Sequence, residues 1–136
     1  MKNQHLLPLI AAATLIGCGE SPAERAYELR AECGRDARAV AAEFVADFRR
    51  DQQQEVESGL NSHYSSRKQR CYAHIWLTFG SSISRSFLVD VDENRQLGEF
   101  NEQLLPKTQV YRCILADKTC ATSDEWLALT KPYMEQ

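Results

Sequence analysis

The sequence predicts an α+β fold in which a long N-terminal helix is followed by an antiparallel meander of three to four strands and a short C-terminal helix. Three patterns predict this order. Apolar and small residues recur every three or four positions across 29–48, alternate with polar residues across 71–79, and follow a capping sequence at 122–125. A chain of 136 residues fits a single domain. We expect both helices to pack on one face of the meander.

The first helix is predicted from its capping residues and its apolar face. Ser21 and Glu24 form a capping box, and Pro22 suits the first helical position. The polar stretch 49–57 can continue the helix, and Ser58-Gly59 are expected to end it. The predicted helix is therefore about 35 residues long, or roughly 50 Å. The apolar face comprises Leu29, Cys33, Ala37, Val40, Phe44 and Phe48.

The strands are predicted from two-residue periods. A polar connection is expected across 61–70, followed by the first strand at 71–79, in which every odd-numbered residue is apolar and shares one face. Further strands are expected at 86–92, 97–100 and 108–115. The opposite face of the first strand carries Tyr72, His74, Trp76 and Thr78.

The C-terminal helix is predicted from a second capping box. A turn at Asp117-Lys118 precedes it, and Thr122 and Glu125 form the box. Pro132 is expected to end or kink the helix. Its apolar residues include Trp126, Leu127 and Leu129.

The N-terminus combines a basic start, an apolar run and a cysteine. Lys2 precedes an apolar run across 6–16, which is shorter than the roughly 20 residues that a membrane-spanning helix needs. Such a run is typical of the central region of a signal peptide. It ends in Leu15-Ile16-Gly17-Cys18. This pattern resembles the lipobox of bacterial lipoprotein precursors, in which a small residue precedes the cysteine that receives lipid.

The resemblance implies that residues 1–17 are a lipoprotein signal peptide and that 18–136 form one domain anchored to the membrane by acyl (palmitate) chains on Cys18. Each buried methylene contributes about 0.8 kcal/mol, so several chains on one residue hold a protein firmly. In such proteins an aspartate after the cysteine retains the product in the inner membrane. Gly19 stands there instead. The resemblance therefore implies the outer membrane. The pattern leaves open whether the domain faces the periplasm or the outside, and we expect the periplasm.

The cysteines downstream of Cys18 are even in number, as expected for disulfides in an exported protein. Four cysteines allow three connectivities. We favour Cys33–Cys71 and Cys113–Cys120, because the second pair closes a small loop around the predicted turn. A four-cysteine zinc site would need closely spaced C-x₂₋₄-C pairs, and no spacing here fits them. No metal and no cofactor are expected.

A calcium loop is suggested by Asp90, Asp92 and Asn94 and is rejected. Arg95 stands where the sharp turn of such a loop needs glycine, and Asn101 stands where a bidentate glutamate belongs. A polar hairpin is expected instead. The formal net charge of −3 argues against nucleic acid as a partner.

No catalytic residues are assigned, because neither His63 nor His74 stands in a recognisable motif with a nucleophile and an orienting group. The segments 64–72, 89–94 and 131–135 resemble parts of small exported bacterial proteins that have no known activity. This resemblance therefore assigns no functional residue. The first hypothesis is a non-enzymatic interaction module of the cell envelope, which binds or neutralises an envelope protein or an incoming protein. The alternative is a small envelope enzyme or ligand carrier that uses the face of Tyr72, His74 and Trp76.

Overall fold

The computed structural model describes residues 19–52 and 55–135, so the lipobox residues Leu15-Ile16-Gly17-Cys18 lie outside the described residues. The α+β class is confirmed: an N-terminal helix, an antiparallel sheet and a short C-terminal helix follow one another. The strands pair in chain order, each with the next. The elements are α1 (Pro22–Gln52), β1 (Val56–Ser65), β2 (Arg70–Phe79), β3 (Ile83–Asp90), β4 (Arg95–Gln103), β5 (Gln109–Leu115), β6 (Lys118–Thr119) and α2 (Ser123–Met134).

The sheet has six strands, and the prediction of three to four was wrong. The largest difference is β1, which occupies the region where a longer helix and a polar connection were expected. Ser58 and Gly59 lie inside this strand and do not end a helix. Gly59 is needed there because a Cβ atom would lie 2.0 Å from the ring of Trp76, its partner on β2. The strand β6 was missed because it has only two residues.

The two helices pack on opposite faces of the sheet, so the prediction that both lie on one face was wrong. The odd-numbered residues of β2 are buried under α1, together with residues of β1 and β3. The even-numbered residues Tyr72 and His74 contact α2 through Tyr133 and Trp126. A second core, which includes the 2% exposed Trp126, therefore forms on this face. Fully burying a large apolar side chain contributes about 1.5–3 kcal/mol.

The predicted capping box is present at α1, and at α2 Thr122 caps the helix while the Glu125 carboxylate accepts from the Ala121 N–H at 2.7 Å. The Ser21 N–H donates to Glu24 Oε2 (2.7 Å) and the Glu24 N–H donates to Ser21 Oγ (3.2 Å). At α2 the Glu125 N–H donates to Thr122 Oγ1 (3.2 Å). These contacts satisfy N–H groups that have no partner within the helix. Pro132 does not end α2, which continues to Met134.

Two disulfides join the four cysteines in the favoured pairing. Cys33 is bonded to Cys71, with 5.4 Å between the Cα atoms, and Cys113 is bonded to Cys120, with 5.1 Å. The first bond links α1 to β2 across 38 positions of the chain. The second closes a seven-position loop around the β5–β6 turn. The first bond therefore holds α1 on the sheet.

Candidate functional site

The strand β1 forms one outer edge of the sheet. Its ten residues pair with β2 in continuous register, without a bulge, and no other strand of the described residues pairs with its outer side. An edge strand of this kind leaves every second residue with an unpaired N–H and C=O pointing outward. These groups can pair with a strand of another chain.

The hydrogen bonds of Cys71 identify the outward residues of β1. The Cys71 C=O accepts from the Val91 N–H (2.9 Å), and the Cys71 N–H donates to Asp92 Oδ2 (2.9 Å). Both groups of Cys71 therefore point away from β1, and its neighbour Tyr72 points toward it. Because Tyr72 pairs with His63, the odd-numbered residues of β1 bond to β2. The outward residues are Val56, Ser58, Leu60, Ser62 and Tyr64.

The edge lacks the devices that usually block strand addition. Natural edge strands are protected by lysine, proline, bulges or short length. The sequence of β1, VESGLNSHYS, contains no lysine and no proline, and its one carboxylate is Glu57. At ten residues it is longer than the average strand of about five or six. The strand is therefore open to pairing from Ser58 to Tyr64, whereas the outward carbonyl of Val56 already accepts from Arg49 at 3.5 Å.

A groove lies on the α1 side of this edge and is called here the α1 groove. It has a volume of about 540 Å³. The floor includes Leu60 and Ile75. Arg38 and Arg49 stand among its lining residues, so the groove combines apolar walls with two cations. The helix contributes the small side chains Ala41, Ala42, Val45 and Ala46.

The two arginines stand beside opposite halves of β1. Arg49 Nη2 lies 3.5 Å from the carbonyl oxygen of Val56. A Cβ atom at Gly34 would lie 3.7 Å from Arg38 Nη1 and 3.9 Å from Ser62 Oγ, so both side chains lie next to Gly34. Within residues 19–52 and 55–135, neither guanidinium forms an ion pair with a carboxylate. Both residues are exposed, and the one hydrogen bond of Arg49 described above is to the carbonyl oxygen of Val56.

A second groove, the α2 groove, lies on the other face of the same edge and has a volume of about 620 Å³. Its lining includes Asn61, His74, Leu127, Lys131 and Met134. The strand β1 therefore has a cavity on each side. Side chains of an added strand alternate between the two faces, so both grooves could receive them.

His74 is held by α2 and is half-buried. Its Nε2 accepts a hydrogen bond from the indole N–H of Trp126 at 3.2 Å. Burial lowers the pKa of His74, which favours the neutral ring. A neutral imidazole has one acceptor nitrogen, and Trp126 already uses it. The geometry therefore gives His74 a role in supporting Trp126 and leaves it no free lone pair for a base.

The helix α2 covers only part of the face of Tyr72, His74 and Trp76 that the sequence predicted as a binding surface. Tyr72 is 4% exposed and packs against Tyr133, with 5.2 Å between the ring centroids. Trp76 is 39% exposed and its ring lies over Gly59 of β1. Of the three residues, Trp76 is therefore the one placed beside the edge strand with a large exposed area.

Asp90 and Asp92, the acids of the rejected calcium loop, form hydrogen bonds at the β3–β4 hairpin. Asp90 is 2% exposed, and its Oδ2 accepts from Arg70 Nη1 at 2.9 Å. Arg70 also pairs with Glu93, which lowers the pKa of this carboxyl group. Asp92 accepts from the backbone of β2, as described above. These charges are therefore paired with groups of the protein itself.

No protein family model, no curated protein and no solved structure matches this chain. Within the described residues, no three or more His, Cys, Asp or Glu side chains are grouped so that they could hold a metal ion. In that same part of the chain, no helix has the length and apolar character needed to cross a membrane.

Acidification is expected to destabilise the protein through His74. Because the folded pKa lies below the ordinary value of about 6.5, the unfolded chain binds a proton first, and stability falls as the pH drops below about 6.5. The variant His74→Gln does not titrate there and should lose less stability between pH 7 and pH 5. Urea denaturation at the two pH values measures this. An identical loss in both proteins would contradict the role of His74.

Proposed function

We propose that this protein is a non-enzymatic interaction module of the bacterial cell envelope, anchored by lipid on Cys18, which binds or neutralises another protein through the edge strand β1. The observation that carries the proposal is a ten-residue edge strand without lysine, proline or a bulge, with a groove on each face. Backbone hydrogen bonds along an edge give affinity, and pockets for alternate side chains give specificity. The arrangement around β1 supplies both elements.

The lipobox supports a position at the membrane surface. Gly19, Glu20 and Ser21 alone separate Cys18 from the first residue of α1. Pro22 at the start of α1 lines one cavity with Tyr64, near the C-terminal end of β1. An anchor at Cys18 would therefore hold the Ser65 end of β1 near the bilayer and the Val56 end farther from it. A partner would meet the edge strand at the membrane surface.

The variant Cys18→Ser tests the anchor. Serine has no thiol to receive the diacylglyceryl group, so labelling of cells with a radioactive fatty acid should mark the natural protein and leave the variant unlabelled. A Gly19→Ala variant, which keeps the cysteine, serves as the matched control and should remain labelled. Normal labelling of Cys18→Ser would contradict the lipoprotein assignment.

The docking edge is tested by photo-crosslinking in living cells. A photoreactive residue placed at Ser58, on the exposed edge, should form a discrete adduct with one envelope protein. The same residue at Asp117, an exposed position in the β5–β6 turn, is the control and should form none of it. The same adduct from both positions would contradict docking at β1.

The alternative, a small enzyme or ligand carrier, would use the α2 groove beside His74. Its support is the cavity of about 620 Å³ on that side. The hydrogen bond from Trp126 to His74 Nε2 argues against a base at this position. A small molecule from the envelope that co-purifies with the protein and is displaced by a bulky substitution at Ala128 would favour the carrier. Ala128 lines this groove and is exposed.

A further inference from the structure

We infer that the partner of β1 is an extended segment with two acidic side chains six residues apart and two small apolar side chains at the alternate positions between them. This inference rests on the proposed docking at β1 and names the chemistry of the segment that docks. Written as a pattern, the segment is acidic–x–apolar–x–apolar–x–acidic. The pattern reads the same in both chain directions, so it fits a parallel or an antiparallel added strand.

The first step is the direction of the side chains. The outward residues of β1 pair with the odd-numbered residues of β2, which lie under α1. Directly opposite residues in a sheet share a face. Residues of an added strand that pair with Val56, Ser58, Leu60 and Ser62 therefore direct their side chains toward α1. These four positions are spaced by two, and the first and last are six apart.

The second step is the apolar part of the groove. Ser58 and Leu60 of β1 line it together with the helix side chains Ala42 and Ala46, which are exposed. Small walls on α1 leave room above these two positions. Side chains of the size of valine fit this description, and β-branched residues also favour an extended backbone. The two central positions of the partner segment are therefore assigned to small apolar residues.

The third step is the pair of arginines. Arg49 contacts the carbonyl of Val56, and Arg38 and Ser62 both lie next to Gly34. Six strand residues span about 20 Å, and the eleven positions from Arg38 to Arg49 on the helix span about 17 Å. An acidic side chain opposite Val56 and another opposite Ser62 would each reach a guanidinium. Six is an even number, so both acids face α1 and neither points to the α2 groove.

Charge complementarity also decides between occupants. If a second copy of this chain paired its own β1 with this edge, its even-numbered β1 residues would direct their side chains toward α1. None of these residues is acidic, because the one carboxylate of β1 is the odd-numbered Glu57. Both arginines would then stay unpaired. An acyl chain would contact the alanines and would use neither the outward amides nor two cations. An acidic extended segment uses all three features of the site.

The test uses the full chain purified in detergent from bacterial envelopes and a labelled peptide of sequence TETVTVTET. Its glutamates are six residues apart and its two valines occupy the positions between them. Binding is followed by fluorescence anisotropy. The double variant Arg38→Glu, Arg49→Glu should weaken binding by at least about tenfold, since one exposed ion pair contributes up to about fivefold and reversal adds repulsion. The lysine peptide TKTVTVTKT should bind this variant better than it binds the natural protein.

Two controls sharpen the test. Arg50 is next to Arg49, but it pairs with Asp47 at 3.1 Å and is not part of the groove lining. Arg50→Glu makes the same change of charge and should leave peptide binding unchanged. A peptide with its glutamates four residues apart, TETVTETVT, should bind more weakly than the first peptide, because its second acid faces the alanines and not an arginine.

The outcomes separate this inference from the proposed function. In one outcome, Ser62→Pro abolishes the edge adduct in cells, but the peptide either does not bind or binds equally well after Arg38 and Arg49 are changed. The acidic pattern is then wrong, and docking at β1 stands. If the peptide binds the Ser62→Pro protein as well as the natural one, the edge strand is not the binding element. That result would overturn both proposals.

Discussion

Removing the disulfide between α1 and β2 is expected to lower the free energy of unfolding by about 4 kcal/mol. The change is Cys33→Ala with Cys71→Ala, which keeps apolar side chains at two buried positions. The bond closes a loop of 38 positions and so restricts the unfolded chain. Urea denaturation of the natural protein and the double variant measures this loss, provided that the two proteins have the same m-value.

The matched control is the other disulfide. Cys113→Ala with Cys120→Ala opens a loop of only seven positions, for which the same relation gives about 2.5 kcal/mol. Equal losses for the two double variants, or a larger loss for the short loop, would contradict the chain-entropy account. Loss of the first bond should also weaken docking, because α1 carries one wall of the α1 groove.

A proline at Ser62 is expected to abolish docking at β1 while leaving the fold intact. The Ser62 N–H points outward and has no partner in the sheet, so proline removes no bond to β2. The stability should change by less than about 1 kcal/mol, because Ser62 is exposed and edge strands tolerate proline. An incoming strand would lose a backbone hydrogen bond and meet the proline ring.

Two variants make this prediction specific. Ser62→Thr keeps the N–H and suits a strand, so it should dock normally. Asn61→Pro removes an N–H that bonds to β2 and should destabilise the sheet itself. Thermal unfolding of the three variants checks the assignment of outward and inward residues. A greater loss of stability in Ser62→Pro than in Asn61→Pro would reverse that assignment.

The sequence predicted the elements whose signals are local. The helix caps at Ser21 and Thr122 need only residues within one helical turn. The strand β2 was predicted because its apolar period runs unbroken from Cys71 to Phe79. The α+β order followed from these features.

The strand β1 was missed because the spacing of its apolar residues is compatible with both a helix and a strand. Val56, Leu60 and Tyr64 are spaced by four, and they follow Phe44 and Phe48 at multiples of four. A spacing of four keeps residues on one face of a helix and also on one face of a strand. The remaining residues of β1 are polar or small, so no two-residue alternation opposed a helix or a loop. Pairing with β2 decides the structure, and this contact is not local.

The placement of α2 was missed for a similar reason. Tyr72, His74 and Trp76 form a polar and aromatic face that is compatible with solvent or with a covering helix. The hydrogen bond from Trp126 to His74 makes burial possible, because it satisfies the indole N–H. These two residues are 52 positions apart, and their pairing follows from the register of the whole sheet. The candidate binding edge depends on that register as well.

Docking at the edge strand is tested most directly by the Ser58 photo-crosslink in three backgrounds: the natural chain, Ser62→Thr and Ser62→Pro. Ser58 and Ser62 are both exposed on the outward side of β1. The account predicts one adduct of the same mass in the natural chain and in Ser62→Thr, and its loss in Ser62→Pro at equal protein levels. An adduct of unchanged yield in Ser62→Pro would contradict the claim that partners add to β1.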